Sequence, residues 1–271
     1  MQTLYIVATP IGNKGDITLR AMKTMNDVGL IAAEDTRRTA RLLSMCGITK
    51  PMISYNEQTK RSKLPYLLKQ LETMDIALVS DAGMPGMSDP GYELIKVAIE
   101  NGVEVMPVPG PSAIITAVVV SGLPTHEFTY LGYLPRLKAQ RVKFLERVAD
   151  EPRTMVVFET PHRLKAALKD ILAVLGDRRI AVCREMTKLY EEVYRGNVSG
   201  AITYFDEIRG EFTLVIEGKT KGEAQSTSSV EEELLRLRSE GVSAKDAVAQ
   251  MAKASGLSKK AVYQMWLGLK K

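Results

Sequence analysis

Three loops rich in glycine, proline and small polar residues have the composition of a ligand-binding site. They are residues 8–13 (ATPIGN), 80–91 (SDAGMPGMSDPG) and 109–113 (PGPSA), and each follows a short apolar run. Glycine lets the backbone approach a ligand closely, and proline fixes a turn before the ligand arrives. The loops offer carbonyl, hydroxyl and carboxylate oxygens, and the nearest cation is Lys14 at the margin. This composition favours a polar, non-phosphorylated or cationic ligand over a nucleoside triphosphate.

The sequence motifs of several other chemistries are missing. The chain contains neither GxxxxGK[ST] nor GxGxxG, which would bind phosphates, and no GxSxG elbow for a nucleophilic serine. The only two histidines, His126 and His162, lie far apart and lack the HxxH or HxxxH spacing of metal ligands. No metal is therefore expected.

A basic stretch late in the chain is the best candidate for contact with a nucleic acid. It contains Arg136, Lys138, Arg141 and Lys143. Aromatic residues stand just before it, so phosphate charge and stacking surface would occur together. The chain as a whole has a net charge of +5 and a pI near 9.0, which agrees with a polyanionic partner but does not require one.

Regular elements must hold the three loops in place. Apolar runs at 4–8, 30–33, 52–55, 76–79 and 103–108 predict strands, and helical patterns are found at 17–25 (with Asp16 as its cap), 39–45, 64–71, 91–100 and 112–120. Alternation of apolar strands with helices predicts an α/β fold whose parallel sheet is covered on both faces. In such a sheet ligands bind beyond the carboxyl ends of the strands, where all three loops would lie.

A second, smaller α/β unit follows. Strands are predicted at 128–133, 155–158, 180–183 and 212–216, and helices at 142–148 and 163–175. Strands that follow one another without a helix late in this unit indicate a mixed sheet. The small polar residues of KTKGEAQSTS then predict a linker. We therefore divide the chain into residues 1–121, residues 122–220, a linker at 219–228 and a helical piece at 229–271.

The helical piece has the pattern of a helix-turn-helix. Ser229 with Glu232 predicts a capping box, and Ser243 and Ser258 predict the caps of two further helices. The last helix has one apolar stripe, formed by Val262, Met265, Trp266 and Leu269. Such a piece could bind nucleic acid or serve only as a packing cap.

Composition points to an intracellular protein. The 271 residues include only two cysteines, Cys46 and Cys183, and 25% charged residues, which fits a reducing compartment. The N-terminal residues lack the basic start of a signal peptide, and the longest apolar run, 113–120, is far too short to span a membrane. A soluble, cytoplasmic protein is expected.

An ordered set of motifs resembles a known family. The set begins with LYIVATPIGNKGDITLRA, LIAAEDTRRT and LVSDAGMPGMSDPGYELI, and it continues with PVPGPSA, SGLPTHEFTYLGYLPR, VVFETPHRL and CREMTKLYEEVYRG. Together they resemble the ribosomal RNA small-subunit methyltransferase I family, in the tetrapyrrole-methylase-like class of S-adenosylmethionine enzymes. The resemblance covers essentially the whole chain, including the helical piece.

The resemblance implies two α/β domains of the tetrapyrrole-methylase type, with the methyl donor S-adenosylmethionine in the cleft between them, commonly as a homodimer. It implies 2′-O-methylation of a cytidine ribose in small-subunit (16S) ribosomal RNA, so the partner would be that RNA or the assembled small subunit. The donor-binding residues that it implies are Pro10, Ala82, Gly83, Met84, Pro85, Met87, Ser112, Ala113, Glu159 and Met186.

A ribose hydroxyl is a weak acid, so its methylation should need a base or a charge stabiliser. The candidates are Glu34, Asp35, Asp81, Asp89, Glu159, Glu185 and Lys188. Asp81 and Glu34 lead, because they lie at strand ends that should face the cleft.

Two other functions remain open on the sequence. One is methylation of a small tetrapyrrole precursor on the same fold, which would not need the helical piece. The other is a non-catalytic regulator that binds nucleic acid through the helix-turn-helix and does not bind the donor.

Overall fold

The computed structural model describes residues 2–205, 209–219, 227–255 and 258–269. The strands of the first sheet are β1 (Thr3–Val7), β2 (Leu30–Ala33), β3 (Met52–Ser54), β4 (Ile76–Val79) and β5 (Glu104–Val108). The helices between them and after them are α1 (Leu19–Asp27), α2 (Thr36–Met45), α3 (Lys60–Gln70), α4 (Gly91–Glu100) and α5 (Ala113–Ser121). The sheet is parallel throughout, in the order β3-β2-β4-β1-β5, which confirms the predicted sheet type.

The central strand β4 shows why the sequence of this sheet is continuously apolar. Ile76 and Leu78 point into one hydrophobic cluster, whereas Ala77 and Val79 point into another on the opposite face. Successive side chains of a strand alternate between faces, and both faces are covered here. Each such burial contributes about 1.5–3 kcal/mol for a Val, Leu or Ile side chain.

Several helices begin at residues other than those predicted, α3 for example at Lys60 and not at residue 64, and for two of them the cap explains the start. Asp16 ends a short 3-10 helix (Lys14–Asp16), and the cap of α1 is Thr18, whose hydroxyl accepts from the Ala21 amide at 3.0 Å. The α2 helix begins at Thr36, three residues before the predicted start, because Asp35 caps it by accepting from the Arg37 amide. At α1 two polar residues near the start, Asp16 and Thr18, are both of the type that caps helices.

The second sheet is mixed, as the sequence predicts. Its strands are β6 (Phe128–Tyr133), β7 (Thr154–Glu159), β8 (Arg179–Arg184), β9 (Glu192–Asn197) and β10 (Phe212–Ile216), and its helices are α6 (Lys138–Arg147), α7 (Leu164–Leu175) and α8 (Val198–Tyr204). The order is β6-β7-β10-β8-β9, with only β6 and β7 parallel. Neither β9 nor α8 was predicted, because β9 is a polar edge strand and α8 spans only 7 residues.

Helix α5 does not pack where its position in the sequence suggests. It follows β5, yet Ile114, Ala117 and Val118 form a core with Ala181 and Val215 of the second sheet. A helix that is apolar on nearly all sides needs more cover than one edge of the first sheet provides. The domain boundary at residue 121 stays a prediction, and this packing favours a boundary before α5.

The C-terminal helices are α9 (Thr227–Ser239), α10 (Ala244–Ser255) and α11 (Lys259–Gly268). Ser243 and Ser258 accept from the amides of Asp246 and Ala261, which confirms both predicted caps. Ser229 is not a cap, because α9 begins two residues earlier. The predicted turn at residues 256–257 lies outside the described residues.

The predicted apolar stripe of α11 is confirmed by its packing. Val262 and Trp266 are buried in a cluster with α9 and α10, and Met265 and Leu269 pack against that cluster. The three helices thus have a core of their own. In the described parts of the chain, no helix combines the length and apolarity needed to cross a membrane.

Candidate active site

The three loops of the first sheet meet at its carboxyl edge, because β4, β1 and β5 are neighbours. The amide of Thr9 donates to the Gly83 carbonyl at 2.9 Å, and the amide of Gly83 donates to the Thr9 carbonyl at 3.0 Å. Gly83 has a φ of +78°, in the left-handed region where other residues are strained. Glycine is therefore needed where the first loop meets the loop after β4.

The loop after β4 is shaped by Asp89. One of its carboxylate oxygens accepts from the Gly86 amide at 2.7 Å and from the Gly91 amide at 2.8 Å. A Cβ on Gly91 would lie 2.8 Å from the Gly86 nitrogen and 2.9 Å from Asp89 Oδ1, so this turn has no room for a side chain. Asp89 thus holds the loop, which argues against a role as the base.

The same loop is also attached to the second sheet. The hydroxyl groups of Ser88 and Tyr130 lie 2.6 Å apart, and Ser88 has a φ of +64°. A non-glycine residue in this region costs about 1 kcal/mol, so the surrounding contacts must hold it. The loop therefore bridges the two sheets and closes one side of the space between them.

A cavity of about 330 Å³ lies between the sheets, at the ends of the loops. It is lined by the implied donor residues Ala82, Gly83, Met84, Met87, Ser112, Ala113, Glu159 and Met186, and by Glu34 and Asp81. Two implied donor residues lie elsewhere. Pro10 lines a neighbouring cavity, and Pro85 is buried and lines neither of these two cavities.

Glu34 and Asp81 form a hydrogen-bonded pair at the ends of β2 and β4. Glu34 Oε2 accepts from the Asp81 amide at 3.1 Å. Asp81 is more fully engaged, because Oδ1 accepts from the Asp35 amide at 3.1 Å and Oδ2 lies 3.1 Å from Arg38 Nη1. Burial raises the pKa of the Glu34 carboxyl, and the nearby Asp81 and Asp89 add to this. Burial therefore favours the uncharged form of the Glu34 carboxyl.

Glu159 lies on the opposite wall, at the end of β7. Its side chain is fully buried, and its oxygens accept from the Thr160 amide at 2.8 Å and from Arg163 Nη2 at 3.1 Å. Burial raises the pKa of this carboxyl as well. Because both oxygens are engaged, the side chain can hold the wall in shape but has little capacity left to move a proton.

Met186 reaches the cavity from a strained turn after β8. The residues on either side of it, Glu185 and Thr187, have φ angles of +49° and +67°. Ion pairs hold the turn, since Lys188 Nζ lies 2.8 Å from Glu185 and 3.0 Å from Glu211. Strain of this kind is retained when surrounding contacts over-determine it, and it clusters at functional sites. Glu185 and Lys188 therefore act as supports for the turn.

Asp35 is the remaining candidate base. It caps α2 and makes a two-pronged pair with the Arg37 guanidinium, at 3.1 Å and 2.8 Å. These hydrogen bonds hold the pKa of its carboxyl well below the ordinary value. A carboxylate held in its ionised form in this way is a weak base.

Several lining residues were missed by the sequence analysis. They are Ile11, Arg38, Tyr133, Phe158, Thr160, Pro161 and the run Glu211–Thr213. The rings of Tyr133 and Phe158 lie with their centroids 5.4 Å apart and their planes inclined by 58°, and they form an apolar wall. All of them except the run Glu211–Thr213 fall within the sequence motifs quoted above, but the motifs do not show which of their side chains face the cavity.

Of the four basic residues predicted to contact RNA, three are exposed to solvent and one is buried. Arg136, Lys138 and Lys143 are exposed at and before α6, as a phosphate contact requires. Arg141 is wrongly assigned, because its side chain is 5% exposed and its guanidinium lies 2.6 Å from Asp170. It also donates to the Pro135 carbonyl at 3.2 Å. A helix presents only part of its circumference to solvent, and Arg141 lies on the inner side.

Replacement of Arg141 by Ala is expected to destabilise the protein by about 3–5 kcal/mol, because Asp170 would keep a buried charge without a partner. Chemical denaturation measures this loss. Lys143→Ala on the exposed side of the same helix is the control, with an expected change within about 0.5 kcal/mol. Equal stability of the two variants would show that the Arg141–Asp170 pair is not structural.

No group of three or more His, Cys, Asp or Glu side chains that could hold a metal ion is found within the described ranges. The loops of this cavity instead present backbone carbonyls and carboxylates, which suit an organic cation. Its size is at the lower end of the range for a small-molecule site, about 300–1,000 Å³.

Comparisons with known proteins agree with this architecture. The profile of the Tetrapyrrole (Corrin/Porphyrin) Methylases matches residues 3–201, and that of the RsmI C-terminal HTH domain matches residues 227–270. In solved structures, uroporphyrin-III-C-methyltransferase from Thermus thermophilus is similar with a TM-score of 0.56 at 17% identity, covering 79% of this chain and 94% of that one. Diphthine synthase is similar with a TM-score of 0.61 at 11% identity, covering 80% and 90%. Such low identity shows a shared fold only.

Curated relatives are much more similar in sequence. Ribosomal RNA small subunit methyltransferase I from Halalkalibacterium halodurans is 44% identical, covering 97% of this chain and 94% of the relative. The protein of that name from Thermotoga maritima is 49% identical over 222 residues, covering 81% of this chain and 100% of the relative. The one from Bacillus subtilis is 41% identical, covering 98% and 94%. With the profile match over its two sheets and relatives of this identity along its length, the chain belongs to the tetrapyrrole methylase family and, within it, to the ribosomal RNA small subunit methyltransferase I family.

Proposed function

We propose that this protein transfers a methyl group from S-adenosylmethionine to the 2′-hydroxyl of a cytidine ribose in small-subunit ribosomal RNA. The observation that carries the proposal is the cavity between the two sheets, where a carbonyl-rich loop edge faces Glu34 and Asp81. Family membership supports the donor and the ribosomal substrate. The choice of a cytidine and of its 2′-oxygen rests on the sequence motifs.

The residues of the cavity fit the donor. At Gly83 the backbone itself forms part of the cavity wall. A Cβ at this position would be in van der Waals contact, 3.6 Å from Ile11 Cγ2 and 3.7 Å from the Pro111 carbonyl oxygen. Ser112 caps α5 and leaves Ala113, a small residue, at the wall. When bound, S-adenosylmethionine supplies an electrophilic methyl group on a sulfonium cation, whose charge the neighbouring carboxylates would stabilise. We propose that Ala82, Gly83, Met84, Ser112 and Ala113 bind it, with Met87, Glu159 and Met186 on the remaining walls.

The proton of the acceptor hydroxyl needs a destination. Glu34 Oε2 is engaged by the Asp81 amide, whereas Oε1 accepts no hydrogen bond from the residues that the structure describes. We propose that Glu34 Oε1 takes the proton and that Asp81, held by Arg38, positions the Glu34 carboxylate. General-base assistance of this kind contributes about 10²–10⁴-fold in rate.

The test is transfer of a labelled methyl group from S-adenosylmethionine to small ribosomal subunits that lack the modification. The product is digested to nucleosides, and we expect the label in 2′-O-methylcytidine. No label in any ribosomal RNA would refute the proposal. Label on the cytosine ring would retain the methyltransferase but refute the assignment of the 2′-oxygen.

Removal of the helical piece after Lys219 tests its contribution. We expect donor affinity to stay within about twofold and the KM for ribosomal subunits to rise about tenfold or more, because the cavity lies wholly on the two sheets. The Thermotoga maritima relative, of which 222 residues account for all, supports the first of these expectations, that the donor site does not need the helical piece. Isothermal titration with the donor and steady-state kinetics measure the two effects. Loss of donor binding would contradict the prediction.

We also propose that the protein acts in the cytoplasm as a homodimer. Ile115 and Val119 of α5 are 52% and 68% exposed, and Met106 on the edge strand β5 is 42% exposed. Apolar groups exposed on an edge strand and on the helix that follows it are typical of a subunit interface. Light scattering with Val119→Lys tests this proposal, since a dimer at this surface should dissociate.

A further inference from the structure

A second cavity adjoins the donor cavity and differs from it in charge. It has a volume of about 300 Å³ and lies at the first loop and the outer face of α2. The two cavities share a wall formed by Ile11, Arg38, Ser80, Asp81, Ala82 and Glu211. A ligand that extends past this wall would occupy both cavities at once.

Three cations line the second cavity on the side of the first sheet. Lys14 and Arg41 make no ion pair with any residue in the described part of the chain, and both are exposed. Arg38 pairs with Asp81 at 3.1 Å, yet its side chain remains 63% exposed. The fourth cation, Lys188, is already paired with Glu185 and Glu211. The cavity therefore has positive charge available for a ligand.

The local structure explains why these cations face the same space. Arg38 and Arg41 are three residues apart on α2 and so project from one side of the helix. Lys14 begins the short 3-10 helix that follows the first loop, where Asn13 accepts from the Gly15 amide at 2.9 Å. Lys14 thus reaches the cavity from its opposite wall.

The donor cavity has the opposite character, since Glu34, Asp81, Asp89 and Glu159 line it. The Arg38–Asp81 ion pair lies in the wall between the two cavities and marks a boundary of charge. A cationic donor is favoured on one side of this boundary, and an anion is favoured on the other. A reacting group at the boundary would lie next to Glu34 and Asp81.

We propose that the second cavity binds the 3′-phosphodiester of the nucleotide that is methylated, through Lys14, Arg38 and Arg41. The inference rests on the proposed function, because it takes RNA as the acceptor. In ribose the 2′- and 3′-oxygens are on neighbouring carbons, so the 3′-phosphate is the phosphate closest to the 2′-hydroxyl. Anchoring it beside the charge boundary brings the 2′-oxygen to the carboxylates. The subsite would thereby select the 2′-oxygen without reading the base.

The test removes the two unpaired charges together, in Lys14→Gln/Arg41→Gln. Affinity for small ribosomal subunits that lack the modification is measured by filter binding between about 50 and 200 mM salt. We expect affinity to fall about tenfold at 100 mM salt. The slope of log affinity against log salt should become shallower by up to about 0.7, because the cations share one phosphate and each phosphate contact to a single strand contributes about 0.7. Donor affinity and melting temperature should stay at the wild-type values.

Two control proteins separate this effect from a general loss of charge. Lys69→Gln/Lys169→Gln removes the same charge from exposed lysines that line neither cavity, and it should keep the wild-type slope. Arg41→Lys retains the charge and should also keep the slope. A wild-type slope in the Lys14/Arg41 double variant would overturn the proposal. So would a slope that changes only when Lys138 and Lys143 of α6 are replaced.

Failure of the subsite can be told apart from failure of the proposed function. If the wild-type protein methylates ribosomal RNA but the double variant binds subunits normally, only the phosphate subsite is refuted. If the wild-type protein transfers no methyl group to any ribosomal RNA, the proposed function itself is wrong, and the subsite is refuted with it.

Discussion

Glu34→Gln is expected to slow methyl transfer by about 10²–10⁴-fold, an effect much larger than the loss of donor affinity that follows from removing one of the carboxylates that line the cavity. Gln can still accept the hydrogen bond that the Asp81 amide donates to Glu34 at 3.1 Å, so the geometry of the wall should survive. What is lost is the ability to take up the proton of the hydroxyl. Single-turnover rates with saturating donor measure the chemical step, and isothermal titration measures donor binding.

The pH dependence gives a second measurement of the same residue. Burial raises the pKa of Glu34 above its ordinary value of 4.5, and a base acts only when it is ionised. The wild-type rate should therefore fall as the pH decreases through that raised pKa. This decrease, the acid limb of the pH–rate profile, should be absent from the Glu34→Gln variant. Because the raised pKa disfavours the ionised form in the folded protein, the variant should not be less stable at neutral pH.

Asp81→Asn serves as the matched comparison at the neighbouring carboxylate. It removes the charge that pairs with Arg38 but not the oxygen of the general base, so we expect a smaller loss of rate and a retained acid limb. If Asp81→Asn abolished the limb and Glu34→Gln did not, the two roles would have to be exchanged. If both variants kept wild-type rates, neither carboxylate would be the base.

Ala113→Trp is expected to weaken donor binding at least about a hundredfold, because the indole would fill part of a cavity of about 330 Å³. Ala113 lies at the start of α5, after the Ser112 cap, and lines the cavity directly. The donor would have to share this space or displace the loop after β4. Isothermal titration with S-adenosylmethionine measures the change in Kd.

The control for this substitution is Ile99→Trp on α4. Ile99 is 59% exposed and does not line the cavity, so its replacement should leave the Kd within about twofold. Both variants should melt cooperatively. Unchanged donor affinity in Ala113→Trp would place the donor outside the cavity between the sheets and would remove the basis for the whole site.

Much of the fold could be predicted because the relevant signals are local. The apolar run of β4 reads directly as a strand buried on both faces, and the Gly- and Pro-rich segments read as loops at its carboxyl end. The caps at Ser243 and Ser258 depend on contacts only three residues away. β9 lacked such a signal, because an edge strand with polar residues depends on its pairing with β8 and on packing contacts with residues far away in the sequence.

The strand–helix alternation, the three loops at one sheet edge and the family motifs all follow from the order of the residues alone. The three-dimensional arrangement was needed to show that α5 packs on the second sheet and that Arg141 is buried with Asp170. It also decided how Glu34 and Asp81 share their hydrogen bonds, and that a basic cavity adjoins an acidic one. The reason is physical: periodicity and capping depend on neighbours within a few residues, whereas burial and charge pairing depend on elements far apart in the chain.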